Sequence, residues 1–562
     1  MKLGKVNQDI SVSDQLFSKD LKEIAELGYK TIICNRPDGE GSDQPNFHEI
    51  DKAAKKLGLA TQYLPIVSGK ISNENIEEFS EYYKSSEKPV LAYCRSGMRA
   101  ITLWSLNSAN KDSLSEKLRI GNQLGYDLSG IAMRLATKHN TKQAEKSYEI
   151  VIVGGGAAGI SVASSLLARS PDLDIAIIDP AETHYYQPGW TLVGGGIFSA
   201  KSTVKTMASV IPDKVKWIKA AVAGFEPGSN HVILEGCEAV KYEKLIVCPG
   251  IKLNWGAIDG LIETLGQNGV TSNYRFDLAP YTWELVNNLQ KGKAIFTQPP
   301  MPIKCAGAPQ KAMYLSGDHW HRTDRINQIE VNFYNAGAVL FGVKEYVPAL
   351  MEYVEKYHAK LHFQHRLTKV DGFNKRAWFS HTTADGSIET VETDFDMLHV
   401  APPQQAPDFI RTSSLVDENG WVDVSPDTLQ HKKYPNIYGL GDVTNSPNAK
   451  TAAAARKQAP VVAANLLFDL NKGITRSAYD GYGSCPLTVE RGKVVLAEFG
   501  YGGKLLPSFP KWLIDGQKPS KLSWLLKEKI LPPIYWKGML KGHEWLAGAA
   551  DLPVSNSAVQ KG

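Results

Sequence analysis

The chain has 562 residues, 43% apolar and 22% charged, enough for ordinary cores in three or four domains at about 150 residues each. A net charge of +4 is too small to argue for nucleic acid, and six scattered cysteines (Cys34, Cys94, Cys237, Cys248, Cys305 and Cys485) are too few for a disulfide framework. Neither CxxC nor HExxH occurs, so no metal site is expected, and His319 and His321, two apart and so on different helix faces, read as surface residues.

The opening stretch "MKLGKVNQDISVSDQ" lacks the apolar core of a signal peptide. The most apolar run, Val151 to Ala168, holds three consecutive glycines and three serines, which suits a strand, turn and helix better than a membrane span. The expected address is cytoplasmic, a reducing compartment in which cysteines serve chemistry. Residues 1–137 read as one small α/β domain. "KTIICNRP" and "KPVLAYC" are apolar runs bounded by turn residues, hence buried strands, and "NFHEIDKAAKKLGL" has helical spacing and ends at a glycine.

The second strand delivers Cys94 into "CRSGMR". A cysteine phosphatase loop places five residues between its cysteine and arginine; here Arg99 arrives one residue early and Ala100 stands where that arginine would be. Residues 138–147, ending in the polar, aperiodic "HNTKQAEKS", read as a linker.

The next domain, 148–474, opens with "YEIVIVGGGAAGISVASSLL". Gly154, Gly156 and Gly159 form GxGxxG between a predicted strand and a helix. The first allows the tight turn, the second lets backbone approach a pyrophosphate, and the third lets helix and strand pack closely. Twenty residues on, Asp179 ends the strand "DIAIID", where a carboxylate accepts hydrogen bonds from an adenosine ribose. "YEKLIVCPG", ending at Gly250, resembles the strand-and-glycine crossover of two-dinucleotide-domain flavoproteins. "YPNIYGLGDVTNSPNAKTAAAA" resembles their second FAD contact, which implies that Gly441 and Asp442, with Lys450 beside them, bind the cofactor. The region where a nicotinamide fingerprint would stand, "KAIFTQPPMPIKCAGAPQK", has two prolines in its first turn and no GxGxxG, which argues against NAD(P)H. The tail, 475–562, carries eight lysines against three acidic residues between Lys504 and Trp545, interleaved with Trp512, Trp524, Trp536 and Trp545. That mixture suits a segment lying in a membrane interface, and equally a helix docked on the protein's own core.

"HYYQPGWTLVGGG", "IKCAGAPQKAMYL", "AGAVLFGVKEY", "TLQHKKYPNIYGLGDVTN" and "YDGYGSCPL" resemble the sulfide:quinone oxidoreductases from about Ser147 onward. The resemblance implies an FAD enzyme that takes electrons from sulfide, or from a low-molecular-weight persulfide or thiol, and passes them to membrane quinone while peripheral on the membrane. Its oligomeric state stays open. Cys305, in "KCAG", matches the family cysteine that lies against the flavin. A second redox cysteine is expected after the Gly-Asp pair, where this chain has Val443, so position 443 is expected beside Cys305; Cys248 and Cys485 are the candidate substitutes, though each reads first as a core thiol.

The N-terminal domain resembles the phosphatase-like domains fused to sulfur-metabolism enzymes, and its Cys94 loop resembles that of rhodaneses. In both, inward-pointing backbone N–H groups activate the thiol, with Arg99 adding charge. The smaller ring favours one extra sulfur on Cys94, a persulfide. A phosphatase with Asp38 as general acid is the rival, and an inert core thiol a third reading. The whole is expected to be α/β: a phosphatase-like sulfurtransferase domain, then a tandem Rossmann-type FAD-dependent oxidoreductase with a C-terminal membrane-associating segment. A thiol- and flavin-based redox sensor without quinone turnover is the alternative from another class.

Overall fold

The structure, a computed structural model, describes the chain except residues 2, 42–43, 68–70, 108–109, 111, 113, 127, 129–145, 236–237, 549 and 552–562. The linker expected over 138–147 therefore lies outside the described residues, save its last two, and so does Cys237. The chain divides into two units.

The first comprises Met1–Ser147, Ala220–Tyr242 and Asp408–Ser414. Its sheet has the order β1 (Leu3–Lys5), β2 (Ile10–Ser13), β5 (Val90–Tyr93), β3 (Thr31–Cys34), β4 (Ala60–Tyr63), parallel except for β1. The runs "TIIC" and "VLAY" are buried along their whole length, as central parallel strands covered on both faces must be. Helix α1 (Phe47–Lys55) starts where the Asn46 side chain accepts the Glu49 N–H and buries Ile50 and Ala54. Helix α2 (Met98–Leu106) follows the Cys94 loop and is buried almost throughout. The domain is not the single contiguous block expected from the sequence. Ala223 and Ile233, on the hairpin Val222–Glu226 and His231–Leu234, share one apolar core with Val90, Leu103, Trp104 and Leu118.

The second unit comprises Tyr148–Lys219, Glu243–Pro407 and Leu415–Gly562. Strand β6 (Lys146–Val153) starts two residues before the expected Tyr148 and leads into α3 (Ala157–Arg169). It lies between β7 (Ile175–Ile178), parallel to it, and the strand ending at Val247, which β9 (Ile437–Gly439) joins in parallel. Short helix α4 (Trp190–Gly194) follows β7. A second parallel sheet has the order Val270–Thr271, Met397–His399, β8 (Gly292–Gln298), Ile329–Asn335, Lys360–Phe363. Helix α5 (Ala308–Arg322) follows β8, and the turn between them is the proline-rich stretch carrying Cys305. His319 of α5 is buried against Trp283 rather than on the surface, while His321 is exposed.

The tail is no separate body. Strands β10 (Gly483–Glu490) and β11 (Lys493–Phe499) form a hairpin, and Leu487, Val489, Val495 and Ala497 enter the core of the second sheet. Helical residues 521–541 then run on without a break.

Candidate functional site

A cavity of about 510 Å³ runs through the second unit from the glycine fingerprint to the tail, within the roughly 300–1,000 Å³ usual for a small-molecule site. The fingerprint glycines divide their work as expected. Gly154 has φ 109°, and a Cβ there would lie 2.5 Å from the Cys248 carbonyl oxygen. At Gly159 a Cβ would meet the Gly154 carbonyl at 1.8 Å, so helix and strand tolerate no side chain between them. A Cβ on Gly156 would meet nothing within 4 Å, because that residue faces the cavity at the start of α3. Asp179 borders the same space, its carboxylate accepting the Gly155 N–H at 2.6 Å and the Ala181 N–H at 2.8 Å. Gly250, at φ 79°, lines the cavity with no obstruction near it. This cradle fits the diphosphate and ribose of a flavin dinucleotide.

Gly441 and Asp442 line the same cavity, Gly441 packed close to Ala158 at the start of α3. Burial pushes the Asp442 carboxyl above its usual range, with Lys450 and Lys304 opposing. Lys450 does not line the cavity. Its ammonium donates to the carbonyls of Asp442 and Thr444, both at 2.7 Å, and so holds the loop from behind, while burial lowers its pKa to about 8. Its own carbonyl accepts the Cys305 N–H at 2.8 Å, which ties the two loops together.

Cys305 adopts φ 51°, an uncommon conformation for a residue with a side chain. Its Sγ lies 3.6 Å from Sγ of Cys485, which strand β10 brings in from 180 residues away. With Val443 where a second redox cysteine was expected, Cys485 is the thiol that the structure brings to Cys305, which corrects its reading as a mere core thiol. Gly307 makes room for it, since a Cβ there would come within 2.6 Å of the Cys485 sulfur and 2.4 Å of Leu487. Cys248, by contrast, is an inert thiol against the Gly154 carbonyl, its pKa raised by burial.

Lys311, on the first turn of α5, donates to Cys305 Sγ at 3.1 Å and lies 3.7 Å from Cys485 Sγ. The hydrogen bond from Cys485 and the Lys311 charge hold the Cys305 thiol well below its ordinary pKa, against burial. Donating that bond, and burial, keep Cys485 protonated. Burial works against the Lys311 charge too, but the two sulfurs hold the ammonium protonated. Lys527, from the tail, donates to the Pro486 carbonyl at 2.8 Å and the Thr488 hydroxyl at 2.7 Å, and burial beside Lys311 drives its pKa well down. The pair is a thiolate beside a thiol under a buried cation.

Sequence reasoning named Cys485 only as one possible partner beside Cys248, and missed Lys311 and Lys527. The signals were Gly307, two residues past Cys305, and the cysteine inside "YGSCPL". Among the described residues no group of three or more His, Cys, Asp or Glu is placed to hold a metal.

Leu496, Phe509, Leu526, Leu531, Ile534 and Met539 give the cavity an apolar lining from the hairpin and the tail, with Arg456, Glu498 and Lys527 among them. Tyr535 of the tail donates or accepts at His184 Nε2 across 2.7 Å, and His184 Nδ1 lies 3.3 Å from the Gly155 carbonyl. Burial lowers the His184 pKa to about 4, so the ring is neutral and one of its nitrogens must accept. The tail's outer face is exposed at Trp512, Leu513, Leu522, Leu525 and Ile530. No helix among the described residues is long and apolar enough to cross a membrane.

In the first unit the Gly97 N–H donates to Cys94 Sγ at 3.2 Å. Gly97 has φ 89°, and a Cβ would lie 2.1 Å from the Tyr126 hydroxyl, so only glycine fits this turn. Arg99 is buried and forks onto Glu40 through two bonds of 2.8 and 2.7 Å, with a third to the Ile66 carbonyl at 2.6 Å. Although burial opposes its charge, Glu40 and Cys94 hold the Arg99 guanidinium above its ordinary pKa. Arg36 also donates to Glu40, at 2.8 Å. Asp38, the acid of the rival reading, accepts the Phe47 N–H at the start of α1 at 2.8 Å. Cys34, on β3, is a buried thiol with its pKa pushed up to about 11 by burial.

Residues 148–289 match the family model of pyridine nucleotide-disulphide oxidoreductases, and residues 2–111 that of the phosphatase-like domain of beta-lactamase hydrolase-like proteins. The chain is 41% identical to the mitochondrial sulfide:quinone oxidoreductase of Dictyostelium discoideum over 73% of its own length and 90% of that protein's. It is 32% identical to a beta-lactamase hydrolase-like protein of Xylella fastidiosa over 23% of its length and 30% of that protein's. The crystal structure of the sulfide:quinone oxidoreductase from Aquifex aeolicus superposes with a TM-score of 0.60 at 18% identity, covering 71% of this chain and 92% of that one, a likeness of fold. The first relative's name carries a mitochondrial address, so the expected cytoplasmic placement finds no support there. These matches also imply a flavin-type cofactor.

Proposed function

This chain belongs to the sulfide:quinone oxidoreductase family, and from that premise we propose that it oxidises sulfide, or a low-molecular-weight persulfide, at the Cys305–Cys485 pair. Gly154, Gly156, Gly159, Asp179, Gly250, Gly441 and Asp442 would hold FAD, which when bound would supply the two-electron acceptor between the thiols and a membrane quinone. The observation that carries this reading is the 3.6 Å separation of the two sulfurs beside Lys311. Two S–S bonds of about 2.05 Å laid end to end reach about 4.1 Å, so the gap accepts one bridging sulfur atom. Hydrosulfide attacks the oxidised pair, one cysteine keeps the extra sulfur as a persulfide, and the other leaves as a thiolate. Lys311 stabilises that thiolate. Cys305 is the electron donor, because it is the sulfur held as thiolate; Cys485 holds the sulfane sulfur.

The apolar side chains that the tail contributes to the cavity suit a quinone, and the exposed apolar residues of the tail, flanked by Lys511, Lys518, Lys521 and Lys529, suit peripheral attachment to a membrane. In the first unit Cys94 is the sulfurtransferase nucleophile and Arg99 its charge partner. The short loop supports a persulfide there, and the engagement of Asp38 at α1 speaks against a free general acid. Fusion on one chain gives the two chemistries an effective concentration on the order of millimolar if the linker can span them.

Anaerobic titration with sulfide tests the reading. The flavin should bleach stoichiometrically, and mass spectrometry should find added sulfur on the Cys305 and Cys485 peptides. A flavin that stays oxidised in the presence of sulfide would overturn it.

A further inference from the structure

Asn35 is wholly buried, and its amide oxygen has no hydrogen-bond partner among the described residues. The residue stands beside Cys94. Ile33 on β3 and Ala92 on β5 are in register and share one apolar core, and the ladder runs on past both strands, with the Asn35 N–H donating to the Tyr93 carbonyl at 2.8 Å. Asn35 and Cys94 are thus the next pair on the same face, on backbones about 4.8 Å apart. The direction of the amide is fixed as well. Its nitrogen donates to the Leu64 carbonyl at 3.3 Å, on the β4 side of β3, where a flipped amide would set oxygen against oxygen. The oxygen is the arm left for the β5 side, where Cys94 stands.

A buried acceptor left without a donor is costly, so a ligand of this loop should bring one. The cations of the loop are meanwhile already matched. One Nη of Arg99 gives its protons to Glu40 and the Ile66 carbonyl, the other bonds Glu40 again, and the Cys94 sulfur is a further partner of the guanidinium. Arg36 donates from Nε to Glu40 at 2.8 Å and from Nη1 to Gln15 at 2.7 Å. The Arg99 bonds hold the Glu40 carboxyl below its ordinary pKa against partial burial, so it stays ionised between both guanidiniums. Arg95 is exposed, its charge open to screening. An oxyanion entering here would find the Arg99 fork occupied and would face the Glu40 carboxylate. An S–H group meets the reverse: an acceptor in place and no charge to displace.

We propose that Asn35 and Glu40 set the specificity of the Cys94 loop: Asn35 holds the S–H of a hydropersulfide donor, R–S–SH, and Glu40 shuts out oxyanionic donors by keeping Arg99. This rests on the sulfurtransferase reading of Cys94 above and adds the class of donor. A hydropersulfide is an electrophile only while protonated, and an uncharged acceptor favours that form. The Cys94 thiolate attacks the terminal sulfur, whose hydrogen points at the Asn35 oxygen. A bond from Cys94 to that sulfur forms, its bond to the R-bearing sulfur breaks, and the electron pair leaves on R–S⁻. The proton stays on the terminal sulfur, now part of a cysteine persulfide, and no oxidant or reductant takes part.

The test uses full-length, FAD-loaded protein in single turnovers, with mass spectrometry reading added sulfur on the Cys94 peptide alone. The donors are 2-hydroxyethyl hydropersulfide and thiosulfate. In the wild type the hydropersulfide should half-saturate at roughly tenfold lower concentration than thiosulfate. Glu40→Gln keeps one acceptor on Arg99 and frees the other arm, so half-saturating thiosulfate should fall about tenfold while the hydropersulfide value holds. Asn35→Leu, close in shape, should raise the hydropersulfide value about fivefold and leave that for thiosulfate in place. Sulfate, which cannot react, should shield Cys94 from iodoacetamide in Glu40→Gln and not in the wild type. Equal half-saturation by the two donors in the wild type, equal shifts for both donors in either variant, or sulfate shielding of the wild type would overturn the assignment. Should Asn35→Leu fail to fold, the wild-type ratio and Glu40→Gln decide. A wild-type Cys94 that takes sulfur from neither donor would bring down the sulfurtransferase reading instead, and the sulfate arm would still report on Glu40.

Discussion

Lys311→Met removes the charge nearest the candidate electron donor while keeping the length of the side chain. The ammonium is 3.1 Å from Cys305 Sγ and 4% exposed. At an effective dielectric of about 20, unit charges that far apart attract by about 5 kcal/mol, a ceiling of about 4 pH units on the thiol. The Cys485 hydrogen bond and Lys527 remain, so the expected rise is about 1–3 units. The sign follows directly. Losing a cation disfavours the thiolate, so the pH at which Cys305 becomes reactive moves up. Iodoacetamide alkylation of Cys305 across pH, followed by peptide mass spectrometry, should show its midpoint displaced upward by that amount. Sulfide-driven bleaching should slow in parallel. An unmoved midpoint in folded, flavin-loaded Lys311→Met would refute the reasoning and leave the Cys485 hydrogen bond as the main stabiliser of the thiolate.

Cys305→Ser and Cys485→Ser should both retain FAD, whose cradle they do not touch, and both lose sulfide-dependent bleaching; normal bleaching in either would remove that sulfur from the reaction. Gly307→Ala should push Cys485 away from Cys305 at a cost of about 1–3 kcal/mol in stability, measured by thermal melting, with bleaching slowed. Cys94→Ser should abolish thiosulfate or persulfide turnover and leave flavin reduction largely intact, which the two assays run side by side would show. Trp512→Ala combined with Leu522→Ser should weaken sedimentation with anionic vesicles, and added salt should weaken it further, because lysine–headgroup attraction is screened; unchanged binding would mean the tail serves only its own core.

What the sequence disclosed was local. Gly154, Gly156 and Gly159 could be read because each is demanded by a clash or an approach within one strand–turn–helix unit, and Asp179 follows at a fixed distance from them. The Cys305 turn was legible for the same reason, since prolines and a cysteine stand where a second glycine fingerprint would. Cys485 could be named but not chosen over Cys248, because its meeting with Cys305 spans 180 residues and depends on how the β10–β11 hairpin packs against α5. Pattern matching at Gly441-Asp442 looked for the second thiol in the wrong strand. Lys311 reads as an ordinary lysine of an amphipathic helix until the helix start is seen to point it at two sulfurs. The hairpin at 220–242 was likewise invisible as part of the first unit, for short β-strands carry no local mark of the core they will join.

The bond from Tyr535 to His184, and from that ring to the Gly155 carbonyl, also has a meaning in time. Tyr535 follows His184 by 351 residues, so during synthesis the turn that cradles the diphosphate is formed long before the residue that braces it exists. A domain emerging from the ribosome can fold its β6–α3 unit early, yet the braced turn is complete only after the tail has been released. Truncated or stalled chains would therefore carry a looser cradle, and tight retention of the flavin becomes a mark of a finished polypeptide.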